Sequence, residues 1–434
     1  MVTQKKGLNL SPFRFVVLLI SLCLADIAMA DETAGAYTLP QAFLDTLARD
    51  ARVQAAENRV AEARERLEEV NSGRRPSLSL SGNTGYAYNR NQARVTAIYE
   101  GHSSRGGLQF NQDLYTFGRV KGRQQRAEAE IAEAEYALEE VRQEVLAEVA
   151  RSFSEQLFRK RIYESRRAFE ELLGELEDTA RRRIELGTLD RTELFEVLRR
   201  LHQARAQRIE ASSRYRVARA QLARLTGADH DDLAPTSLAG LEVATPASLE
   251  YALNQAESKS PSLARARMRL EAAEGELAFR KAELWPVLSL EVNASTGNVG
   301  QIDTRDIVGG VNLSVPVYEG GLKRSQLRSA RLAVETARRE LTAEREQVEI
   351  DVRSNWDLLE GLIRSLHEFE AAVADMEEVV ELTGNKLDVR RATFVQHIEA
   401  RQSALDVEFD MLDSRLRLEE TRIALLRILA QLNP

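Results

Sequence analysis

This 434-residue chain is poor in cysteine, histidine and proline, with one, five and nine of them respectively. The lone Cys23 excludes a disulfide framework, and the thiol lies in the first thirty residues, where it serves no later site. His102, His202, His230, His367 and His397 stand apart with no metal-ligand spacing. There is no phosphate-cradling loop and no Gly-x-Ser-x-Gly elbow, so no catalytic residue, metal or cofactor is expected and the chain reads as a non-enzyme. Aromatics make up only 6%, few for a compact mixed core. With 43% hydrophobic residues the chain is too apolar for disorder, and with 29% charged residues too polar for a multi-span helical membrane protein. Its net charge of −8 argues against nucleic acid as a partner.

One apolar run stands out. Lys5, Lys6 and Arg14 precede Phe15 to Leu24, and Ala28-Met29-Ala30 offers small residues where a signal peptidase reads. Residues 1–30 are therefore expected to be a removable export signal, too short to span a bilayer. Leu22 before Cys23 is unsuited to lipoprotein processing.

The remainder reads as a duplication. Leu114-Tyr115-Thr116-Phe117-Gly118-Arg119 returns as Val317-Tyr318-Glu319-Gly320-Gly321-Leu322, and the same offset sets Ala127 on Ala330, Leu138 on Leu341 and Phe153 on Trp356. Upstream, Arg75-Pro76-Ser77-Leu78-Ser79-Leu80 aligns with Trp285-Pro286-Val287-Leu288-Ser289-Leu290 at a slightly larger offset, as a loop of variable length between the segments would produce. The expected organisation is a first repeat at 31–228, a linker at 229–246 and a second repeat at 247–434. Each repeat reads helix, strand, strand, very long helix, helix.

Period-two alternation marks the strands. Leu78, Leu80, Leu108, Phe110, Leu114, Leu288, Leu290, Leu313 and Val315 form an apolar set facing lipid. Alternating with them, Ser77, Ser79, Asn83, Asn111, Asp113, Glu291, Asn293, Asn312 and Ser314 form a polar set facing a lumen. The strands read as about 9 to 13 residues, the length that crosses a bilayer when tilted. Segments 90–104 and 296–306 are expected as outside loops, and Tyr86, Tyr88, Tyr115 and Tyr318 as an interfacial girdle.

Long helices are the other signature. No proline interrupts Lys121 to Leu186, and Leu327, Ala330, Val334, Ala337 and Leu341 keep a 3,4,3,4 rhythm, a coiled-coil seam. Such a rod measures about 100 Å at 1.5 Å per residue, roughly three bilayer cores. Helices expected at 39–71, 189–225, 248–284 and 394–432 would sheathe the long ones end to end. Four strands cannot close a membrane barrel, whose smallest examples need about eight, so the chain must oligomerise; three copies supply twelve strands.

The export signal, the duplicated halves, the Leu-Tyr-x-x-Gly and Val-Tyr-x-Gly-Gly strand ends running into helices, and the Ile184-Glu185-Leu186-Gly187-Thr188-Leu189-Asp190 turn resemble the TolC family of bacterial outer-membrane channels. The resemblance implies an α+β membrane protein, mostly α. It would be a homotrimer with a twelve-strand barrel in the outer membrane of a Gram-negative bacterium, continued by a periplasmic helical barrel. It further implies an exit duct for tripartite efflux or type I secretion, partnered by a periplasmic adaptor and an inner-membrane transporter. Carried over by position, Leu186, Gly187, Thr188, Leu189 and Asp190, with Arg390 and Arg391 in the second repeat, would be the periplasmic tips where the adaptor docks. Arg390 and Arg391 depart from the glycine usual at that turn. Glu193, Glu196, Gln396 and Glu399 would ring the entrance, where carboxylates repel one another unless protonated or paired. A periplasmic adaptor and a pore-less coiled-coil scaffold are the competing readings. An adaptor should carry one hairpin rather than two, and a scaffold has no use for an outward apolar strand face.

Overall fold

The computed structural model describes residues 36–90, 98–234, 248–299, 302–389 and 391–433; the leader, most of the linker and Arg390 lie outside the described residues. The first repeat runs α1 (Leu39–Arg49), α2 (Ala51–Ser72), β1 (Ser77–Arg90), β2 (Ile98–Tyr115), α3 (Arg119–Glu185) and α4 (Arg191–Thr226). The second repeats that order as α5 (Leu249–Lys259), α6 (Pro261–Ala282), β3 (Val287–Val299), β4 (Ile302–Ser314), α7 (Leu322–Asp388) and α8 (Phe394–Ile428). Both long helices, α3 and α7, have 67 residues. Gly118 and Gly321, which introduce them, both take a left-handed φ, +91° and +88°, a conformation that costs glycine little.

The helices expected over 39–71 and 248–284 are each broken once, and the break obeys the duplication. Asp50 leaves the helix in an extended conformation and accepts a bond from the Arg52 amide, capping α2. Its counterpart Ser260 precedes Pro261, which opens α6 because proline lacks the amide hydrogen that a helix interior requires. Short α1 thereby packs on α3 and α4, and short α5 on α7 and α6.

Toward the sheet, α3 is flanked by α2 and α6; its far half packs on α4 and α8, while α7 lies against α6 and α8. The end-to-end sheathing is therefore as anticipated. Two waist cores are copies of each other: Val149, Phe153 and Leu222 lie in one, and Val352, Trp356 and Leu425 take the corresponding places in the other. Buried Gln143 of α3 ties the repeats together, donating to the Leu432 carbonyl at 2.9 Å and accepting from the Leu432 amide at 3.1 Å.

The sheet is antiparallel in the order β1-β2-β3-β4, leaving β1 and β4 as edges. β1 and β2, with 14 and 18 residues, exceed the expected length, whereas β3 and β4, with 13 each, reach its upper end. Residues 98–104, 296–299 and 302–306, anticipated as loops, continue the ladder, and the Ser104 amide and hydroxyl both bond the Asn298 side chain across it. Alternation vanished from the sequence there because strands that rise beyond lipid need no apolar face, while their backbones still need pairing. Leu114 is a second correction: Asp113 pairs with Ser289 but Tyr115 with Leu288, so a bulge leaves Leu114 unpaired and brings Tyr115 to the apolar face.

Candidate functional site: sheet faces and helical tips

Residues directly opposite one another across an antiparallel ladder project from the same face. Leu78 pairs with Phe110 and Phe110 with Val292; Leu80 pairs with Leu108 and Leu108 with Ala294. Leu288 pairs with Leu313, Leu290 with Val311, and Ala294 with Ile307. Seven of the nine apolar candidates thus share one face, whose Leu80 and Ile307 are 80% and 81% exposed; Leu114 sits at the bulge and Val315 follows the end of β4. On the opposite face Asn111 pairs with Glu291, Asp113 and Asn312 both flank Ser289, and Asn293 lies beside Gln109 and Val308. All five polar candidates, Asn111, Asp113, Glu291, Asn293 and Asn312, sit there. The apolar band ends where Thr84, Ser104, Thr296 and Arg305 replace it at the far end of the same face.

At the helix end of the sheet, Tyr115 meets Phe117 edge-on at 4.6 Å and Phe117 stacks near Trp285 at 6.1 Å. Amphipathic rings of this kind suit a membrane boundary. Of the girdle tyrosines, Tyr115 belongs to this cluster and Tyr86 lies within β1, paired with His102.

The tips lie at the opposite end. The Thr188 amide bonds the Arg183 carbonyl at 2.8 Å, closing α3, and the Arg391 amide bonds the Lys386 carbonyl at 2.7 Å in the duplicate position on α7. Gly187 has φ +68°; its counterpart Arg390 is the residue outside the described set. Asp190 caps α4 by accepting from the Thr192 amide, and Thr393 caps α8 at the equivalent place. Leu186 is exposed, whereas Leu189 packs on a core that joins both tips through Val197, Leu201, Leu387, Phe394 and Ile398. The Arg183 guanidinium also sits 5.0 Å from the Phe394 ring.

The entrance candidates have partners within the same chain. Arg200 bonds Glu196 at 3.1 Å, Glu399 at 3.2 Å and Gln402 at 2.7 Å, spanning the two repeats. Arg199 also bonds Glu196, and these two guanidinium partners hold the Glu196 carboxyl down to about 2. Gln396 closes a capping box, accepting from the Thr393 amide at 3.0 Å. Glu193 occupies the first turn of α4, where the helix dipole favours an acid. Sequence reasoning missed Arg200 and Gln402; the only available signal was the four-residue spacing from Glu196 to Arg200.

Two amphipathic hairpins joined to two rods of about 100 Å define a membrane channel continued by a helical duct. The sequence profile of the outer membrane efflux protein family matches residues 44–228 and 252–431, so this chain belongs to that family. It is 25% identical over 350 residues to the outer membrane protein TolC of Vibrio cholerae serotype O1, covering 78% of each chain. It is 27% identical over 250 residues to the alkaline protease secretion protein AprF of Pseudomonas aeruginosa, covering 56% of this chain and 52% of that one. Among solved structures, the CusC channel superposes with a TM-score of 0.77 at 17% identity, covering 90% of this chain and 91% of that one. The chain is an outer-membrane efflux or secretion channel, and its fold is one third of the family's trimeric twelve-strand barrel and helical barrel. The family is one of passive channels that work with efflux or secretion partners.

Proposed function

We propose that three copies form the exit duct of a tripartite efflux pump or a type I secretion system, carrying cargo passively across periplasm and outer membrane. The observation that carries this reading is the register: it gathers the apolar strand residues on one face and the polar ones on the other, with both sheet edges unpaired within the chain. In lipid an open edge leaves backbone groups unsatisfied, so closure with neighbouring copies follows. The polar face, with Asn111, Asp113, Glu291, Asn293 and Asn312, then lines the lumen, and the apolar face meets outer-membrane lipid. The repeated caps and cores support an organisation into a first repeat at 31–228, a linker at 229–246 and a second repeat at 247–434.

The tips, Leu186 to Asp190 and Arg390 to Arg391, are the surface offered to a periplasmic adaptor, which links the duct to an energised inner-membrane transporter. The entrance is formed by Glu193, Glu196, Gln396 and Glu399, with Glu196 and Glu399 held by Arg200. Planar-bilayer recording on the detergent-purified protein tests the duct: discrete conductance steps are expected, and a trimer silent both as wild type and after Arg200→Ala would overturn it. Photocrosslinking from position 188 in intact cells tests the docking surface, the expected product being a covalent adduct with an adaptor.

A further inference from the structure

The polar face of the sheet is layered by charge. Asp113 and Glu291 lie toward the helices, and Asp306, opposite Ser295, comes further out along the ladder. Arg105, opposite Asn83 and Gly297, stands one step beyond Asp306 and is the only cation on this face among the described strand residues. Two strands separate Arg105 from Asp306, which sets their backbones about 12 Å apart. Arg105 is exposed, and among the described residues no hydrogen bond or ion pair within the chain holds its guanidinium. The space beside it is kept clear. At Gly297 a Cβ would lie 2.6 Å from the Ser104 carbonyl oxygen and 3.1 Å from the Arg105 Cα, so no side chain stands there. On the other flank Asn83 carries a side-chain amide, and beyond Gly297 comes Thr304.

We propose that Arg105 builds an anion site in the outer mouth of the barrel, for extended anions that carry several phosphates. In the trimer three guanidinia ring the lumen at one height, each able to donate paired N–H bonds to a phosphate. A polyphosphate reaches more than one arginine, whereas a chloride meets one at a time. The layers beneath decide the side from which the ligand comes. Asp306, Glu291 and Asp113, each present three times, repel an anion rising from the periplasm, so the ligand is one of the cell exterior. With a screening length of about 10 Å at 0.1 M salt, acids about 12 Å away do not cancel the field of the arginines.

The test is planar-bilayer recording of the full-length trimer in about 0.1 M salt, with inorganic tripolyphosphate added to one side. Streptavidin on a biotinylated Thr188→Cys marks the tip side. From the outer side tripolyphosphate should block the wild-type current; Arg105→Ser should raise the half-blocking concentration about tenfold or more, and Arg105→Lys should raise it less. Thr304→Arg, which adds a guanidinium at the same height, should lower it, and this gain is readable even if Arg105→Ser does not assemble. Equal block of wild type and either charge-changing variant overturns the site, as does stronger block from the tip side. Conducting trimers that tripolyphosphate never blocks overturn it too and leave the duct reading on which it rests. Trimers that never conduct overturn both.

Discussion

Arg200 of α4 lies 3.2 Å from Glu399 of α8, so a cation from the first repeat neutralises a carboxylate duplicated in the second. Because Glu196 and Glu399 share Arg200, these proposed entrance residues form a paired network rather than a set of bare repelling acids. Replacing Arg200 by alanine releases both carboxylates. Exposed pairs are worth about 0.2–1 kcal/mol each, which for two pairs amounts to a severalfold shift in a closed-to-open ratio. We expect Arg200→Ala to raise single-channel conductance and cation preference at low salt and Arg200→Lys to restore part of the wild-type behaviour. Unchanged recordings would contradict this role for Arg200.

The sheet faces predict unequal tolerance. Leu313→Arg places a guanidinium on the apolar face, where the cost of charge grows with depth to about 2–4 kcal/mol at the bilayer midplane, whereas Asn312→Arg points it to the polar face. The yield of heat-resistant trimer in outer-membrane fractions should fall sharply for the first variant and little for the second.

Close packing of α3 on α6 depends on two small residues, Gly122 of α3 and Gly275 of α6. A Cβ at Gly122 would lie 2.5 Å from the Phe279 amide nitrogen and 2.7 Å from its Cα, and backbone cannot swing aside as a side chain would. Gly122→Leu should lower the unfolding free energy by about 1–3 kcal/mol in a denaturant titration. At Gly174, where a Cβ meets nothing within 4 Å, alanine should stabilise by about 0.5–1 kcal/mol, since glycine is unfavourable in helix interiors.

Acidification should act on the tip at low pH only. The Glu196 carboxyl is held at about 2, below its ordinary 4.5, by Arg199 and Arg200. Its contribution is therefore fully present above about 4.5 and is lost as pH falls toward 2. The melting-temperature difference between wild type and Glu196→Gln should be constant from pH 8 to 5 and shrink below it; a difference that vanishes already at pH 6 would place the effect elsewhere.

Much of this was readable in advance. Offsets of 203 and 210 relate Gly118 to Gly321 and Asp50 to Ser260, because each repeat must build the same turn and the same helix break. Leu78, Leu80, Leu288 and Leu313 betrayed their face by alternation, since one side of each strand meets hydrocarbon. Where Arg105, Thr296 and Asp303 continue the ladder, both sides meet polar surroundings and the pattern had nothing to report. The bulge at Leu114 was hidden for a related reason: a one-residue slip is decided by pairing partners, not by the strand's own residues.

Amino-acid order by itself determined the repeat, the element types, the long rods and the amphipathic faces, because these follow from local periodicity and from glycine and proline placement along one chain. Tertiary structure alone decided that Arg200 joins Glu196 to Glu399, that Gln143 clasps Leu432, and that Phe195 is left uncovered where Ile398 is buried. Those outcomes bring together residues about 200 or more positions apart, or compare two copies of one surface, and no local pattern carries the distance between them.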